Sequence, residues 1–559
     1  MIRRRLLLNG MWTLKWDGYE EKRYVPYSRP PVGVTICEKP FFYPEWQGIV
    51  RLCFDGIVNE AEVKLNGKTL GRHWAFTPFW FDITPLVKHS DINKLEVKLY
   101  DRLGEDTVPT GAVCWSHNGG IIRDVYVECC SNPFIENFFL QQFFKDGFKR
   151  VDCVLKVRLY GKGGKKVSVR GSVEDEEETL KEVEGEVRVD GHVETTLRFS
   201  LSGIELWSPE NPRLYELKVH ILDNGEEIDS LKSKIGFREF KTDGNRFKLN
   251  GRKIFLKGVC RHDFYNGDSF VVDKHIVEED LRAIKEMNAN YVRLVHYPPH
   301  PMVPAMADEI GLLVSEEIPA WADTRKPKIV KTCLSMLKEL VERDYNHPSI
   351  VMWFTGNAAQ PERGSDPNLI AYNQKAVALV KNLDPTRIVS YVNDNDLHDV
   401  EGVKEDVSLL RKTGLQVYCK NAYWSKEELD EAAQAFPADL PTLITEWGVI
   451  GSNRTDVLSQ RFTEDVQAQL ISEYFKSGLS SYFPNKKPKN VISGVCYWAW
   501  TDTPWPDLEK DADIKIIAEV AKRFDLYLNF ATGLLYLDRV KKKAYYVMKQ
   551  LYGSTPNYM

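Results

Sequence analysis

The run Asn290-Tyr-Val-Arg-Leu-Val-His-Tyr-Pro-Pro299, followed by Asp308-Glu-Ile-Gly-Leu-Leu-Val-Ser-Glu-Glu317, decides how the second half of this chain is read. Asn290–Leu294 and Leu312–Ser315 are short apolar runs of strand length, and Pro301–Glu309 between them reads as a helix. Each strand run ends on polar groups: Arg293 and His296 at the first, Glu316 and Glu317 at the second.

Outward from this stretch the alternation continues. Helical segments at Glu278–Met287, Leu337–Arg343 and Ala371–Lys381 alternate with apolar strands at Ile350–Phe354, Ile388–Val392, Thr442–Glu446 and Val491–Trp500. Strand–helix alternation over about 320 residues predicts parallel βα units, and a (β/α)8 barrel is the commonest architecture of that size. A doubly wound sheet is the alternative, but no Gly-x-Gly-x-x-Gly turn follows a strand. Residues 241–559 are expected to form the barrel.

The first 240 residues have a different texture. In 1–130, Val50-Leu52-Phe54, Ala61-Val63-Leu65 and Leu95-Val97-Leu99 place apolar side chains at period two, and Asn66-Gly67 is a two-residue hairpin turn. In 131–240, Leu155-Val157-Leu159, Val167-Val169-Gly171 and Leu217-Val219-Ile221 repeat the pattern, with turns expected at Gly163-Gly164 and Asp223-Asn224-Gly225. These segments predict two β-sandwiches, the second of immunoglobulin size. The fold class is multidomain β plus α/β.

Composition bounds the function. The 559 residues are 43% apolar and 28% charged, and 75 basic against 80 acidic residues give a net charge of −5. Mixed charge of this kind lacks the basic face of a nucleic-acid binder. The ten cysteines form no C-x-x-C pair, and reduced, buried thiols are expected. Arg3-Arg4-Arg5 precedes only three leucines before Asn9-Gly10, short of the roughly 7–15 apolar residues of a signal peptide. No run approaches the about 18 apolar residues of a membrane span. A cytoplasmic protein with no membrane or nucleic-acid partner is expected. Fourteen tryptophans are available for cores and for stacking on sugar rings.

Catalytic groups of such a barrel stand at the C-terminal ends of its strands. Those ends carry Arg261-His262-Asp263, Arg293 with His296, Glu316-Glu317, Trp353-Phe-Thr-Gly-Asn357, Thr445-Glu446-Trp447-Gly448 and Trp498-Ala-Trp-Thr-Asp502. Charged and aromatic groups converging on one face suit a polyol ligand. Neither H-x-H nor H-E-x-x-H spacing occurs, so His262 and His296 do not suggest a metal pair, and no cofactor is implied.

These motifs resemble glycoside hydrolase family 2, the family of β-galactosidases, β-glucuronidases and β-mannosidases. Besides the opening run, Asp344-Tyr-Asn-His-Pro-Ser-Ile-Val-Met-Trp-Phe-Thr-Gly-Asn357 is similar to a second hallmark, Leu256–His262 to the first barrel strand, and Ile444-Thr-Glu-Trp-Gly448 to the nucleophile strand. Gly119-Gly-Ile-Ile-Arg-Asp-Val-Tyr126 resembles the closing strand of the family's sugar-binding jelly roll. The resemblance implies a jelly roll over 1–130, an immunoglobulin-like sandwich over 131–240 and a catalytic TIM barrel, with a carbohydrate substrate. It also allows a homo-oligomer.

The resemblance further implies a retaining mechanism, in which one carboxylate attacks and a second serves as acid and then base, about 5–5.5 Å apart. Glu446 matches the nucleophile. Arg293 matches the arginine beside it, Asn357 the partner of the sugar 2-hydroxyl, and His262 and His296 the substrate-contacting histidines. Tyr423 matches the tyrosine that donates to the nucleophile. Trp500 and Asp502 resemble the late segment that walls the sugar subsite, whereas Glu317 stands where the family also has glutamate but has no assigned role. One element departs: where the family has an acid/base glutamate after Asn357, this chain has Ala358. Glu362, beyond Pro361, lies too far along the loop to replace it directly. Either the acid/base was removed by engineering from an exo-acting β-glycosidase, or the chain is a catalytically inactive carbohydrate-binding protein on the same fold.

Substrate is read from one further stretch. Glucuronidases of the family carry an Asn-x-Lys pair before the last Gly-aromatic strand to bind the sugar carboxylate. The corresponding Asn529-Phe-Ala-Thr-Gly533 has no lysine. A neutral sugar is expected, β-galactosides first.

Overall fold

The computed structural model describes residues 3–109, 117–176, 178–265, 268–321, 324–357, 365–393, 399–449, 463–484, 491–503 and 531–558. By internal packing the chain forms two compact units: Met1–Arg102, Gly119–Glu239 and Lys338–Pro348 make one, and Leu103–Asn118, Phe240–Leu337 and Ser349–Met559 the other.

In the first unit, a four-stranded and a six-stranded antiparallel sheet enclose one apolar core that includes Trp12, Leu14, Leu52, Val63 and Val97. Period-two patterning explains it, since alternate side chains of Glu60–Leu65 and Asp91–Tyr100 point inward. Asn66 and Gly67 form the hairpin turn with φ of 50° and 81°. A second core, with Leu155, Val169, Leu217 and Phe237, lies within a five-stranded sheet. Asp223-Asn224-Gly225 turns as expected between Tyr215–Asp223 and Glu226–Ile235. Gly163-Gly164 does not. The 26-residue strand Arg150–Asp175 runs through it with only a register shift between Gly161 and Lys165. Both glycines take positive φ there, so a bulge absorbs what the sequence suggested was a reversal.

Near the end of the first sandwich, Glu128 gathers Arg3, Arg5 and Arg51. Burial would raise its carboxyl, but the arginines outweigh it and hold it at about 2.

The second unit contains a closed barrel of parallel strands: β1 Leu256–Arg261, β2 Tyr291–Leu294, β3 Leu313–Glu317, β4 Ile350–Asn357, β5 Ile388–Asn393, β6 Tyr418–Asn421, β7 Thr442–Trp447 and β8 Ile492–Tyr497. Helices α1 Lys274–Glu286, α2 Met302–Ile310, α3 Pro327–Asp344, α4 Pro367–Leu383, α5 Val400–Thr413, α6 Lys426–Ala432 and α7 Glu464–Glu473 follow successive strands, and α8 Lys543–Gly553 is the last. Side-chain caps start several of them, among them Asp273 on α1, Asp399 on α5 and the Ser425–Glu428 capping box on α6. Strand β6 and helices α5, α6, α7 and α8 were not read from the sequence. The nine described cysteines are buried thiols. No described helix is long and apolar enough to cross a membrane.

Candidate active site

Three strands carry register shifts where they approach the C-terminal mouth of the barrel: β4 between Phe354 and Asn357, β6 between Lys420 and Asn421, and β7 between Ile444 and Trp447. Such irregularities bend a strand and re-aim its last side chains. Asn357 and Asn421 end theirs, and Glu446 lies within that of β7. Two glycines permit the close approaches this needs: a Cβ on Gly356 would stand 2.5 Å from the Ala320 carbonyl oxygen, and one on Gly448 would stand 2.4 Å from that of Trp498.

The shifts deliver these groups to one charged cluster centred on Arg293, which is fully buried. Its Nη1 donates to Glu446 Oε1 at 2.7 Å, Nε and Nη2 donate to Glu317 Oε2 at 3.1 and 2.9 Å, and Nη2 also reaches Asn357 Oδ1 at 2.9 Å. Asn421 donates a second hydrogen bond to that Asn357 oxygen at 3.3 Å, and Thr445 Oγ1 donates to Asn421. With its oxygen so occupied, Asn357 turns its NH2 away from the arginine. Tyr423 donates its hydroxyl proton to Glu446 Oε2 at 2.9 Å.

The imidazoles complete the wall. His296 Nδ1 lies 2.6 Å from Glu317 Oε1, and its Nε2 is 3.9 Å from Glu446 Oε1. Its ring stacks on Trp498 at 5.2 Å. His262 stacks on Phe264, and its Nδ1 is 3.3 Å from the Tyr297 hydroxyl. That hydroxyl also accepts from the Asp263 amide at 3.1 Å.

Burial sets the direction of the shift for the two carboxyls and the two imidazoles. It pushes Glu446 above the ordinary carboxylate range, against the pull of Arg293 and Tyr423, with Glu317 adding to the rise. Burial also raises Glu317, opposed by Arg293. His296 is held well below the imidazole range by burial and by Arg293, and His262 by burial, His296 and the two arginines Arg293 and Arg261. Arg293, whose burial is outweighed by Glu317 and Glu446, is raised well above its usual value. The result is one permanent cation shared by two carboxylates, walled by neutral imidazoles.

Glu446, Arg293, Asn357, His296 and Tyr423 therefore stand together, with His262 next to His296. Trp500 does not. Its indole donates to Asp280 on α1 at 2.7 Å and its ring faces Tyr545 of α8, in the layer outside the strand ends. Asp280 also receives Arg261 and Arg539, so Trp500 belongs to a buried structural hub. Asp502 has other partners, accepting from the Lys542 side chain Nζ at 2.6 Å and from the Gly533 amide at 3.0 Å. The aromatic beside the cluster is Trp498, two positions earlier in the same run. Spacing alone could not choose between two tryptophans past the end of β8. Asn421 was also missed, although it directly precedes the Ala422-Tyr423 pair. Ala358, Glu362, Asn529 and Phe530 lie outside the described residues.

The model for the TIM barrel domain of glycosyl hydrolases family 2 matches residues 240–502, and a second family 2 model matches 134–238. A beta-galactosidase of Thermoanaerobacterium thermosulfurigenes is 31% identical over 404 residues, which is 69% of this chain but 54% of that protein. The chain spans about half the length of the curated relatives it matches. Among solved structures, a GH2 beta-galacturonidase from Eisenbergiella tayi bound to galacturonate superposes with a TM-score of 0.82 at 25% identity, covering 100% of this chain and 99% of that one. A b-glucuronidase from Ruminococcus gnavus has the same fold, with a TM-score of 0.82, 22% identity and 98% of both chains covered.

Proposed function

Because the chain belongs to glycoside hydrolase family 2, we propose that its barrel is the catalytic domain of an exo-acting retaining β-glycosidase, impaired in this copy by Ala358. The observation that carries the reading is the buried Glu446, held on one oxygen by Arg293 and on the other by Tyr423. These two contacts favour the ionised carboxylate and aim it, as a nucleophile requires. Its oxygen attacks the anomeric carbon, the bond to the leaving oxygen breaks, and the electron pair departs with the aglycone. Water then cleaves the glycosyl ester. The family's acid/base glutamate would protonate the leaving oxygen and deprotonate that water, and alanine at 358 can do neither.

The other residues have consistent parts. Asn357 presents its NH2 to a sugar hydroxyl, while His262 and His296 with Trp498 form a polar and aromatic wall. The absent lysine in 529–533 and the relatives named beta-galactosidase support a neutral sugar, β-galactosides first. A uronide reading draws support from the uronidase structures, whose lengths this chain matches almost completely.

The test is Ala358→Glu, assayed on a panel of aryl β-galactosides, glucosides, mannosides, glucuronides and galacturonides. Highest turnover on a neutral sugar is expected. Highest turnover on a uronide would overturn the specificity. An inert revertant that still binds sugars would make this a carbohydrate-binding protein instead.

A further inference from the structure

Glu317 is fully buried at the end of β3, one strand from Arg293 on β2 and four strands from Glu446 on β7, across the barrel mouth. Its two oxygens have separate partners. Oε2 takes the Nε and Nη2 edge of Arg293, and Oε1 takes Nδ1 of His296. The first contact spends one edge of the guanidinium, so that only Nη1 points to Glu446 and the planar group cannot rotate. The second decides where the imidazole proton sits. A carboxylate only accepts, so Nδ1 must carry the hydrogen, and a neutral ring then carries none on Nε2. That atom faces Glu446 Oε1 across 3.9 Å, too far for a hydrogen bond between them.

Resting on the glycosidase reading above, we propose that Glu317 is a positioning residue that locks Arg293 onto the nucleophile and holds His296 as its Nδ1–H tautomer, with the unprotonated Nε2 on the side of Glu446. The groups that face Glu446 are Arg293 from β2, Glu317 from β3, Tyr423 after β6 and His296 after β2. Of these, Glu317 alone opposes ionisation of the nucleophile while orienting two of its neighbours.

Glu317→Gln separates this from a packing role. The amide must turn its oxygen to Arg293 and its NH2 to His296, which moves the imidazole proton to Nε2. It also leaves Arg293 to neutralise Glu446 alone. Histidine-selective nitrogen NMR on the intact parent, assigned by the signal lost in His296→Gln, should show a neutral Nδ1–H ring, and Glu317→Gln should show Nε2–H. Labelling of Glu446 by a fluorinated β-galactoside with a dinitrophenolate leaving group needs no acid/base. In the variant its acidic limb should move down by about one pH unit, and its apparent binding should weaken by about tenfold. A parent His296 that is Nε2–H or doubly protonated at neutral pH overturns the proposal, as does a folded variant with the parent's pH profile. If the variant does not fold, the parent's tautomer decides the matter. If the parent takes no label, the glycosidase reading fails while the tautomer measurement still judges Glu317.

Discussion

Arg293 holds Glu446 at 2.7 Å in a pair whose side chains are 0% and 7% exposed. The same guanidinium spans Glu317 and Asn357, so its planar fork and not only its charge organises the site. Lysine at 293 would keep a charge but reach only one partner. Arg293→Lys should slow fluoroglycoside labelling by about 10²-fold. The sign of the pH effect follows from burial, which already raises Glu446 and which Arg293 opposes. A weaker cation raises it further, so the acidic limb moves to higher pH, opposite to Glu317→Gln. A pH series of labelling rates checks it.

Tyr423 bonds the other oxygen of Glu446 from a side chain that is 46% exposed. Tyr423→Phe should therefore leave the melting temperature close to the parent's. Loss of one hydrogen bond to a charged group should slow labelling by about tenfold or more and also move the acidic limb upward. An unchanged rate would remove Tyr423 from the site.

The two tryptophans past β8 should behave differently. Trp498→Ala removes the ring stacked on His296 and should weaken binding of the sugar probe by about tenfold. Trp500→Phe strips one donor from the buried Asp280 and should cost about 1–3 kcal/mol of stability, with labelling per folded molecule unchanged. Thermal unfolding and labelling kinetics on both variants distinguish them.

Alanine at 358 makes a chemical prediction. General acid–base catalysis contributes about 10²–10⁴-fold, so unactivated glycosides should barely turn over. With a dinitrophenyl leaving group the first step proceeds without an acid, and azide needs no base for the second. Azide should accelerate turnover and yield the β-glycosyl azide, identified by NMR. Ala358→Glu should abolish the acceleration.

Glu128 lies with Arg51, Arg3 and Arg5 in the first unit, and its carboxyl is depressed to about 2. A depressed acid stabilises the fold above its unfolded pKa, about 4.3, and that contribution disappears as pH falls through about 2. Glu128→Gln should lower the first unit's melting temperature at pH 7, and the gap to the parent should close in acid. A gap that does not vary with pH would place the effect in packing rather than charge.

Period-two and strand–helix alternation were enough to read a β-rich first part and a (β/α)8 barrel after it, because core burial imposes those periods on the residues themselves. Glu446, Arg293 and Asn357 were legible for a related reason: a polar group ending an apolar strand has few structural uses. What the sequence could not determine was direction and partnership. Trp498 and Trp500 differ only in which way they face past the end of β8, and that depends on Gly448 allowing the Trp498 backbone to approach and on Asp280 waiting behind. Gly163-Gly164 became a bulge because its flanks found a continuous partner strand. Glu317 acquires a role only when Arg293 and His296, 24 and 21 residues away, close on its two oxygens. Which hydrogen bonds a buried carboxylate makes is fixed by what packs around it, and no local pattern in the chain encodes that.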